Sequence, residues 1–551
     1  MFNKKSIALV LIIAVVGFAL VGCGQSEKAA EQAPEKNQQQ TEKKAQEKVK
    51  PKSGGTLVFG RGGDSVKLDP ADVTDGESMK VTRQMLDGLV EYKPGETEIE
   101  PALAKSWETS EDGLTWTFNL RKGVKFHDGT KFNADAVVFN FKRWMNKDHK
   151  YHDGQFVYWG YMFGGFPGVV KSVEAVDEYT VKFTLKEKLA PFLANLAMGP
   201  FGISSPTAIK KYGEDYFKHP VGTGPFKFVK WVKGDRIILE ANEDYWEGRP
   251  YLDKVVFRVI PDNTARFMEL QSGSIDMIDG VNPNSVPQIR NADKLKLSLR
   301  PSMNVGYLAM NFDKKPFGNV KVRRAINHAI NKKEIIKGLY AGLGKPAKNP
   351  LPPSLWGYNE DIDPYEYNPE KAKKLLAEAG YPDGFKTTLW AMPNPRPYMP
   401  QPKLIAQAMQ SDLEAIGVKA EIRSYDWGTY LQKTENGEHD MALLGWTGDN
   451  GDPDNFLYVL LDKDNAIKGS AGNIAFYKSD PLHELLIKAQ TTMDQEKRAE
   501  LYKKSQKVIH KDAPWVPVAH SNPPLGLKNK VMNYEPSPVG QEKLNDVWLK
   551  Q

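Results

Sequence analysis

The segment PALAKSWETSEDGLTWTFNLRKGVKFHDGTKFNADAVVF, residues 101–139, carries the most information about the architecture of this chain. Within it, Thr115–Leu120 alternates polar and apolar side chains with a period of two, which predicts a half-buried β-strand. The same alternation recurs at Thr180–Leu185 and at Lys254–Ile260. Short strands are therefore expected along much of the chain.

Helical segments lie between and after these strands. Asn368–Pro369 predicts a helix start, because Asn is a good cap and Pro suits the first helical position. Apolar residues share one face of a helix over 402–416, and a strand over 418–422 follows directly. A long helix is predicted over 481–510, with a break near Met493–Asp494. Helix–strand units of this kind indicate an α/β fold.

Length and composition limit the protein class. A chain of 551 residues is too long for one core, so at least two lobes are expected. The net charge of +6 is spread over this length without a basic stripe, which argues against nucleic-acid binding. Cys23 is the single cysteine, so a disulfide within the chain and a thiolate metal site are both excluded.

The N-terminus has the pattern of an export signal. Lys4 and Lys5 precede the apolar run Ile7–Val21, which is shorter than the roughly 20 residues that span a bilayer comfortably. The run ends in Leu-Val-Gly-Cys at residues 20–23, which resembles the bacterial lipobox. That resemblance implies cleavage before Cys23 and lipid attachment to its sulfur. Residues 24–52 are rich in Gln, Glu, Lys and Ala and predict a flexible tether.

Several longer segments resemble the solute-binding proteins of the peptide/nickel ABC-importer family, family 5. They are residues 101–139, Val221–Phe226, Lys321–Ile326 and Ala329–Lys332. The resemblance extends from about Gly55 to the C-terminus. It implies a two-lobed, periplasmic-binding-protein-like α/β fold of type II, cluster C, with an extended first lobe.

The same resemblance implies a domain division. The expected parts are a signal peptide at 1–22, the lipidated cysteine and tether at 23–53, the first lobe at 54–302, the second lobe at 303–519 and a return to the first lobe at 520–551. The two connections between lobes are expected near Pro301–Val305 and near Val518–Asn522. Closure of the lobes over a ligand would be a hinge motion.

Two segments, Trp390–Tyr398 and Gly445–Phe456, are similar to the dipeptide-binding member of this family. There, the residue matching Asp449 holds the ligand's ammonium group and the residue matching Arg396 holds its carboxylate. The ligand-binding residues that we predict are Asp449, Arg396, Thr74, Trp446, Gly445 and Tyr398. Asp452 and Asp454 are interpreted as residues that stabilise the loop.

Physical chemistry supports this pair of charges independently. A free dipeptide is a zwitterion, and burying either charge without a partner costs several kcal/mol. A carboxylate such as Asp449 satisfies the ammonium, and the guanidinium of Arg396 can bind both carboxylate oxygens. A fixed distance between the two would select ligand length. The predicted function is capture of short peptides outside the cell and delivery to an importer.

The expected partners follow from the family. A lipid-anchored monomer on the outer face of the cell membrane would dock on a permease, and the ATPase subunit would act indirectly. No cofactor or metal is expected. Alternative ligands are a longer oligopeptide, glutathione, haem or a nickel chelate, and an alternative role is a surface sensor or adhesin with the same fold.

Metal sites and catalysis are weaker interpretations. The acids of the segment 449–454 suggest calcium only loosely, because the glutamate that closes an EF-hand loop is missing. His149 and His152 have the spacing H-x-x-H but no evident third ligand. His483-Glu484 lacks the second histidine of H-E-x-x-H, and no nucleophile elbow or P-loop is present. We therefore expect a binding protein and not an enzyme.

Overall fold

A computed structural model describes residues 50–550 of the chain. The predicted signal peptide, Cys23 and the tether up to residue 49 lie outside the described residues. Within residues 50–550, no helix combines the length and the apolar composition that a membrane crossing requires.

The described strands, in chain order, are β1 Thr56–Arg61, β2 Val90–Tyr92, β3 Ile99–Pro101, β4 Ala104–Thr109, β5 Thr115–Leu120, β6 Val170–Asp177, β7 Thr180–Leu185, β8 Phe226–Val232, β9 Arg236–Ala241, β10 Lys254–Val259, β11 Met277–Ile278, β12 Leu295–Leu299, β13 Asn304–Met310, β14 Gly344–Pro346, β15 Lys386–Trp390, β16 Lys419–Arg423, β17 Met441–Thr447, β18 Trp515–Ser521, β19 Pro524–Lys528, β20 Val531–Met532 and β21 Trp548–Leu549.

The described α-helices are α1 Gly76–Thr82, α2 Ala134–Met145, α3 Val157–Phe163, α4 Phe192–Leu196, α5 Pro206–Tyr212, α6 Asn263–Ser272, α7 Val286–Arg290, α8 Val320–Ala329, α9 Lys332–Leu339, α10 Pro369–Glu378, α11 Pro402–Glu414, α12 Trp427–Glu435, α13 Asp454–Leu461, α14 Asp480–Thr491 and α15 Gln495–Asp512.

Three larger sheets organise these elements. A seven-stranded sheet has the order β12-β19-β11-β1-β10-β9-β8, and a four-stranded sheet has the order β4-β5-β7-β6. A six-stranded sheet has the order β14-β18-β13-β17-β15-β16. Two of its interior strands, β13 and β18, are buried along their whole length. The predicted mixed α/β architecture is confirmed.

The alternating segments form the predicted strands. Thr115–Leu120 and Thr180–Leu185 are β5 and β7, and they pair antiparallel. In β5 the apolar residues Trp116, Phe118 and Leu120 are buried, which is the alternation expected from the sequence. The third segment becomes β10, which ends one residue earlier than predicted, at Val259.

The predicted helices are also present. Asn368 caps α10 by accepting a hydrogen bond from the backbone N–H of Lys371. Helix α11 ends two residues before the predicted limit, at Glu414. The long helical segment is divided into α14 and α15, and Asp494 caps the second helix by accepting from the N–H of Lys497. The break was predicted at this position.

The chain passes between the two larger sheets at two adjacent points. Strands of the seven-stranded sheet end at Leu299 and resume at Pro524, whereas the six-stranded sheet lies between Asn304 and Ser521. The side chain of Asn304 donates to the carbonyl oxygen of Ser521 at 3.0 Å and accepts from its N–H at 3.0 Å. These bonds join the two passing segments side by side. The exact lobe boundaries after residues 302 and 519 stay a prediction.

Candidate functional site

Two loops that follow neighbouring parallel strands carry the predicted charges. β15 and β17 pair in parallel, with Leu389 beside Met441. The loop after β15 contains Arg396, and the loop after β17 contains Asp449. Carboxyl ends of parallel strands lie at the same edge of a sheet, where α/β proteins commonly bind ligands. The fold therefore brings both loops to one edge of the six-stranded sheet.

Two glycines allow the Arg396 loop to approach the sheet. Gly306 and Gly445 are direct neighbours across β13 and β17. A Cβ atom on Gly445 would lie 2.2 Å from the Tyr398 ring, and one on Gly306 would lie 2.6 Å from the Tyr398 carbonyl oxygen. The hydroxyl of Tyr340 donates to that same oxygen at 3.0 Å. The buried Tyr398 therefore packs directly against the backbone of Gly306 and Gly445.

Arg396 lies on this supported loop with its guanidinium stacked on an aromatic ring. Its Cζ atom lies 4.0 Å from the centre of the Trp427 ring. Its buried Nε has no hydrogen-bond partner among residues 50–550, and no carboxylate in that part of the chain forms an ion pair with it. Stacking on Trp427 holds the plane of the guanidinium while its N–H groups stay available to an acceptor.

Asp449 is a half-buried carboxylate that is held by neutral hydrogen-bond donors. Oδ1 accepts from the Tyr158 hydroxyl at 2.9 Å, and Oδ2 accepts from the Asn455 side chain at 3.3 Å. Within the described part of the chain, no lysine, arginine or histidine forms an ion pair with it. Burial raises the pKa of Asp449 to about 6, and the hydrogen bonds from Tyr158 and Asn455 act in the opposite direction.

The side chain of Asn455 fixes the loop around Asp449. Its Oδ1 atom accepts from the N–H of Asp449 at 3.0 Å and from the indole N–H of Trp446 at 2.9 Å. Trp446 is therefore tied to the same centre as Asp449. Since Asn455 lies in the first turn of α13, the helix positions both predicted ligand residues.

The same loop also contacts the part of the chain around the four-stranded sheet. The Asn450 side chain donates to Asn195 Oδ1 at 2.9 Å. The carboxylate of Asp452 turns the other way and binds Arg498 through two bonds of 2.8 Å each. Asp454 accepts from the Gln490 side chain at 3.0 Å. Asp452 and Asp454 thus hold the loop against α15 and α14, respectively, while Asn450 joins it to α4.

Thr74 lies apart from these contacts. It is exposed and directly precedes Asp75, the cap of α1. It forms no side-chain hydrogen bond with a described residue of either loop. Its role as a ligand contact stays a prediction.

A cavity of about 380 Å³ opens beside Asp449. Its other walls come from the β2–β3 hairpin and from the last loop of the chain, with Glu91, Glu100, Glu535 and Glu542 among the lining residues. Arg396 does not line this cavity. Asp449 therefore borders a cavity that lies apart from the Arg396 loop.

The weaker candidates from the sequence are placed elsewhere. Within residues 50–550, neither the acids of 449–454 nor the pair His149 and His152 belong to a group of three potential metal ligands. The ring Nδ1 of His152 bonds the carbonyl oxygen of Arg143 at 2.7 Å, and His149 Nδ1 accepts from the N–H of Tyr151. Both histidines serve local structure.

Three residues of the site were not predicted from the sequence. Tyr158 is 291 residues away from Asp449 in the chain, and no local pattern connects them. Trp427 starts α12, after a strand that is not the one preceding Arg396. Asn455 lies within the segment Gly445–Phe456, and the turn-forming composition of that segment did not single it out. The short distance from Asn455 to Asp449 along the chain was the only usable signal.

Two sheet systems joined by two adjacent crossings, with opposite charges on loops at one sheet edge, define a two-lobed binding protein. A family model described as the middle part of bacterial extracellular solute-binding proteins, family 5, matches residues 98–468. The chain belongs to this family of extracytoplasmic solute-binding proteins.

Relatives cover almost the whole chain. It is 42% identical over 547 residues to heme-binding protein A of Haemophilus influenzae, with 97% of each chain covered. It is 41% identical over 514 residues to the dipeptide-binding protein of Escherichia coli, which covers 90% of this chain and 95% of that protein. Among solved structures, the periplasmic binding protein DppA from Helicobacter pylori in complex with peptide STSA is 44% identical, with a TM-score of 0.81 and coverage of 91% and 99%.

Proposed function

We propose that this chain is the solute-binding component of an ABC importer and that it captures short peptides, above all dipeptides, by their charged ends. The observation that carries the proposal is a pair of opposite charges on neighbouring loops. Neither Arg396 nor Asp449 forms an ion pair with any residue in the range 50–550. A ligand that carries one positive and one negative charge would provide each of these two residues with a counter-charge.

Electrostatics explains why such a ligand would be favoured. Asp449 is partly removed from water and has only neutral donors around it, so an ammonium group gives it its first full counter-charge. Arg396 is pre-oriented by Trp427 and has an unsatisfied Nε, so it loses little side-chain freedom when it binds a carboxylate. Both residues lie on loops of the same six-stranded sheet, so these two contributions would hold the ligand on the proposed second lobe. Further contacts between the ligand and the first lobe, made only when the lobes are closed, would drive closure.

The names of the relatives support peptides and add one competitor. One relative is named for dipeptides and one solved relative holds a peptide, whereas another relative is named for heme. The cavity beside Asp449 is not lined by Arg396, so it does not fix the length of a ligand held by both residues. Ligand length is therefore the part of the proposal that most needs measurement.

Calorimetric titration with end-blocked peptides tests the proposal directly. Ala-Ala should bind, while N-acetyl-Ala-Ala and Ala-Ala amide should each bind at least about tenfold more weakly, since each lacks one charge. Tetra-alanine, glutathione and haem are titrated in parallel. Equal affinity for blocked and free dipeptides would exclude recognition of the peptide by its termini. Tight binding of haem together with no binding of any peptide would identify haem as the ligand.

Two matched pairs of variants assign the charges to residues. Arg396→Lys should weaken Ala-Ala binding, because one ammonium group cannot replace the planar fork, whereas Arg423→Lys alters a surface arginine paired with Glu421. Asp449→Asn should weaken it as well, with Asp235→Asn as the exposed control. Near wild-type affinity in both site variants would show that this pair of charges does not bind the peptide.

The cellular context belongs to the same proposed role. We infer a lipid anchor at Cys23, a tether at 23–53, a first lobe formed by 54–302 and 520–551, a second lobe at 303–519, and a monomer that docks on a permease. The lipobox pattern at residues 20–23 supports the anchor, and the bonds between Asn304 and Ser521 support a passage between lobes at this point. A sensor role would be indicated if the genes beside this one encode no permease or ATPase.

A further inference from the structure

A cluster of three potential metal ligands lies away from the peptide site. Asp462 directly follows α13, Asp464 is in the short 3-10 turn that comes next, and His483 is on α14. Their ligand atoms all lie within 4.8 Å of one another, and they are the single such group among residues 50–550. The sequence expectation of no metal did not foresee this cluster, because its members come together only in the fold.

The distances match the edges of a coordination tetrahedron. His483 Nδ1 lies 3.1 Å from Asp462 Oδ1 and 3.7 Å from Asp464 Oδ2. Zinc binds imidazole nitrogen and carboxylate oxygen at about 2.0–2.2 Å, which places tetrahedral ligands about 3.3–3.6 Å apart. The two distances from His483 are therefore within a few tenths of an ångström of tetrahedral values, and the ligand atoms of the two carboxylates lie within 4.8 Å of each other.

The charge around the cluster calls for a cation. The Asp462 side chain is fully buried, and in the described chain no lysine or arginine forms an ion pair with it. Lys463, the adjacent cation, is instead paired with Asp480 at 2.5 Å. The Asp462 carboxylate accepts hydrogen bonds from the N–H of Asp464 at 2.8 Å and from the His483 ring at 3.1 Å. A buried carboxylate beside a second one gains from a divalent ion.

Exposure leaves the cluster open on one side. The Asp464 side chain is 50% exposed and that of His483 is 24% exposed, so an ion can enter from solvent and keep a water as its fourth ligand. The mixture of one imidazole with two carboxylates suits Zn²⁺ or a similar transition ion, whereas Ca²⁺ and Mg²⁺ prefer six or more oxygen ligands.

We propose that Asp462, Asp464 and His483 form a binding site for Zn²⁺ or a closely similar divalent transition ion on the second lobe. His483 would bind through Nδ1 and carry its proton on Nε2. The ion would join the C-terminal end of α13 to α14. Because α13 also holds Asn455 at its other end, the metal would stabilise the helix that positions the Asp449 loop.

Titration of the full chain with ZnCl₂ tests the site. The Cys23→Ala background is used so that the free thiol does not compete, and the protein is first dialysed against a chelator. Calorimetry should give one Zn²⁺ per chain, with no comparable binding of Mg²⁺ or Ca²⁺. His483→Gln and Asp464→Asn should each weaken Zn²⁺ binding at least about tenfold.

His149→Gln is the matched control, since His149 belongs to the H-x-x-H pair and not to the cluster. It should bind Zn²⁺ as the parent does. Thermal unfolding provides a second readout, because Zn²⁺ should raise the unfolding temperature of the parent and of His149→Gln but not of Asp464→Asn, in which the replaced side chain is 50% exposed. Absence of stoichiometric binding by the parent, or equal binding by the parent and both cluster variants, would overturn the proposal.

Discussion

The hydroxyl of Tyr158 donates a hydrogen bond of 2.9 Å to Oδ1 of Asp449. This bond connects α3, which packs in the core beside the four-stranded sheet, with the loop that follows β17 of the six-stranded sheet. Since ligand closure in a two-lobed protein brings such segments together, the bond provides a direct link between the closed arrangement and the charge that would hold the ligand.

Removal of this hydroxyl should weaken peptide binding. Tyr158→Phe deletes a hydrogen bond to a charged group, which is worth about 1.5–3 kcal/mol, so the dissociation constant for Ala-Ala should rise about tenfold or more. Tyr161→Phe is the control, because Tyr161 is 70% exposed one turn further along α3. Calorimetry that finds both variants equal to the parent would separate Tyr158 from ligand binding.

Peptide binding should depend on pH through Asp449. The pKa of this carboxyl is raised to about 6 by burial, so it loses its charge as the pH falls through 6 and can no longer pair with an ammonium group. The peptide's own α-amino group loses its charge above about 8. Affinity for Ala-Ala should therefore be highest between these values.

The same titration series tests whether the loss of affinity at acid pH is due to Asp449. Asp449→Asn should bind weakly at every pH and show no loss between about pH 7 and pH 5, since it has no carboxyl to protonate. If the affinity of the variant falls between pH 7 and pH 5 as much as that of the parent does, another group is responsible for the fall.

Gly445→Ala should disturb the Arg396 loop. The added Cβ would lie 2.2 Å from the Tyr398 ring and 2.5 Å from the carbonyl oxygen of Val305, so the loop must move. Overpacking of this kind costs about 1–3 kcal/mol, and peptide affinity should fall with it.

A second glycine serves as the control, because we expect its replacement by Ala to have the opposite effect on the free energy of unfolding. Gly338 is exposed in α9, and no atom lies within 4 Å of the position that a Cβ would take there. Gly338→Ala should therefore stabilise the protein by about 0.5–1 kcal/mol. Urea unfolding measures both changes. A harmless Gly445→Ala would show that the Tyr398 segment can shift freely.

The buried pair Arg498 and Asp452 should support the Asp449 loop. Arg498→Ala leaves Asp452 buried without its partner, and such a change costs about 3–5 kcal/mol. The double variant with Asp452→Ala should be less destabilised than the sum of the two single variants, because neither charge is then left alone. Arg236→Ala, in an exposed pair, should cost less than about 1 kcal/mol. Additive losses in the double variant would contradict a direct pairing.

Cys23→Ala should release the protein from the membrane. A diacylglycerol on Cys23, as we propose, would contribute about 0.8 kcal/mol for each buried CH₂, so two chains would hold the protein durably. Without the sulfur, we expect protein in the medium or an unprocessed precursor, and no incorporation of labelled lipid. Labelled Cys23→Ala protein would place the anchor elsewhere in the chain.

Local sequence patterns predicted the elements well. The alternation in Thr115–Leu120 corresponds to β5 with its buried Trp116, and the cap at Asn368 marks the start of α10. These predictions succeed because strand alternation and helix capping depend on residues only a few positions apart. Element ends differed by one or two residues, since terminal turns fray.

The candidate site was only partly predictable. Asp449 and Arg396 were identified by the similarity of their segments to a family, and Asn455 was close enough in sequence to be suspected. Tyr158 and Trp427 could not be, because each reaches its partner only after distant segments have packed. The metal-ligand cluster shows the same limit, since His483 has no second ligand of this cluster near it in sequence and finds two in space.

The amino-acid sequence alone determined the strands and the helix caps, because each depends on residues a few positions apart. Through the similarity of whole segments it also indicated the family, and it predicted Asp449 and Arg396 as ligand residues. Tertiary structure alone decided which neutral donors hold Asp449, which ring supports Arg396 and which side chains gather around Asp462. These depend on the geometry of packing, which brings the Tyr158 hydroxyl to Asp449 across 291 residues of the chain, and that geometry is set by the fold as a whole.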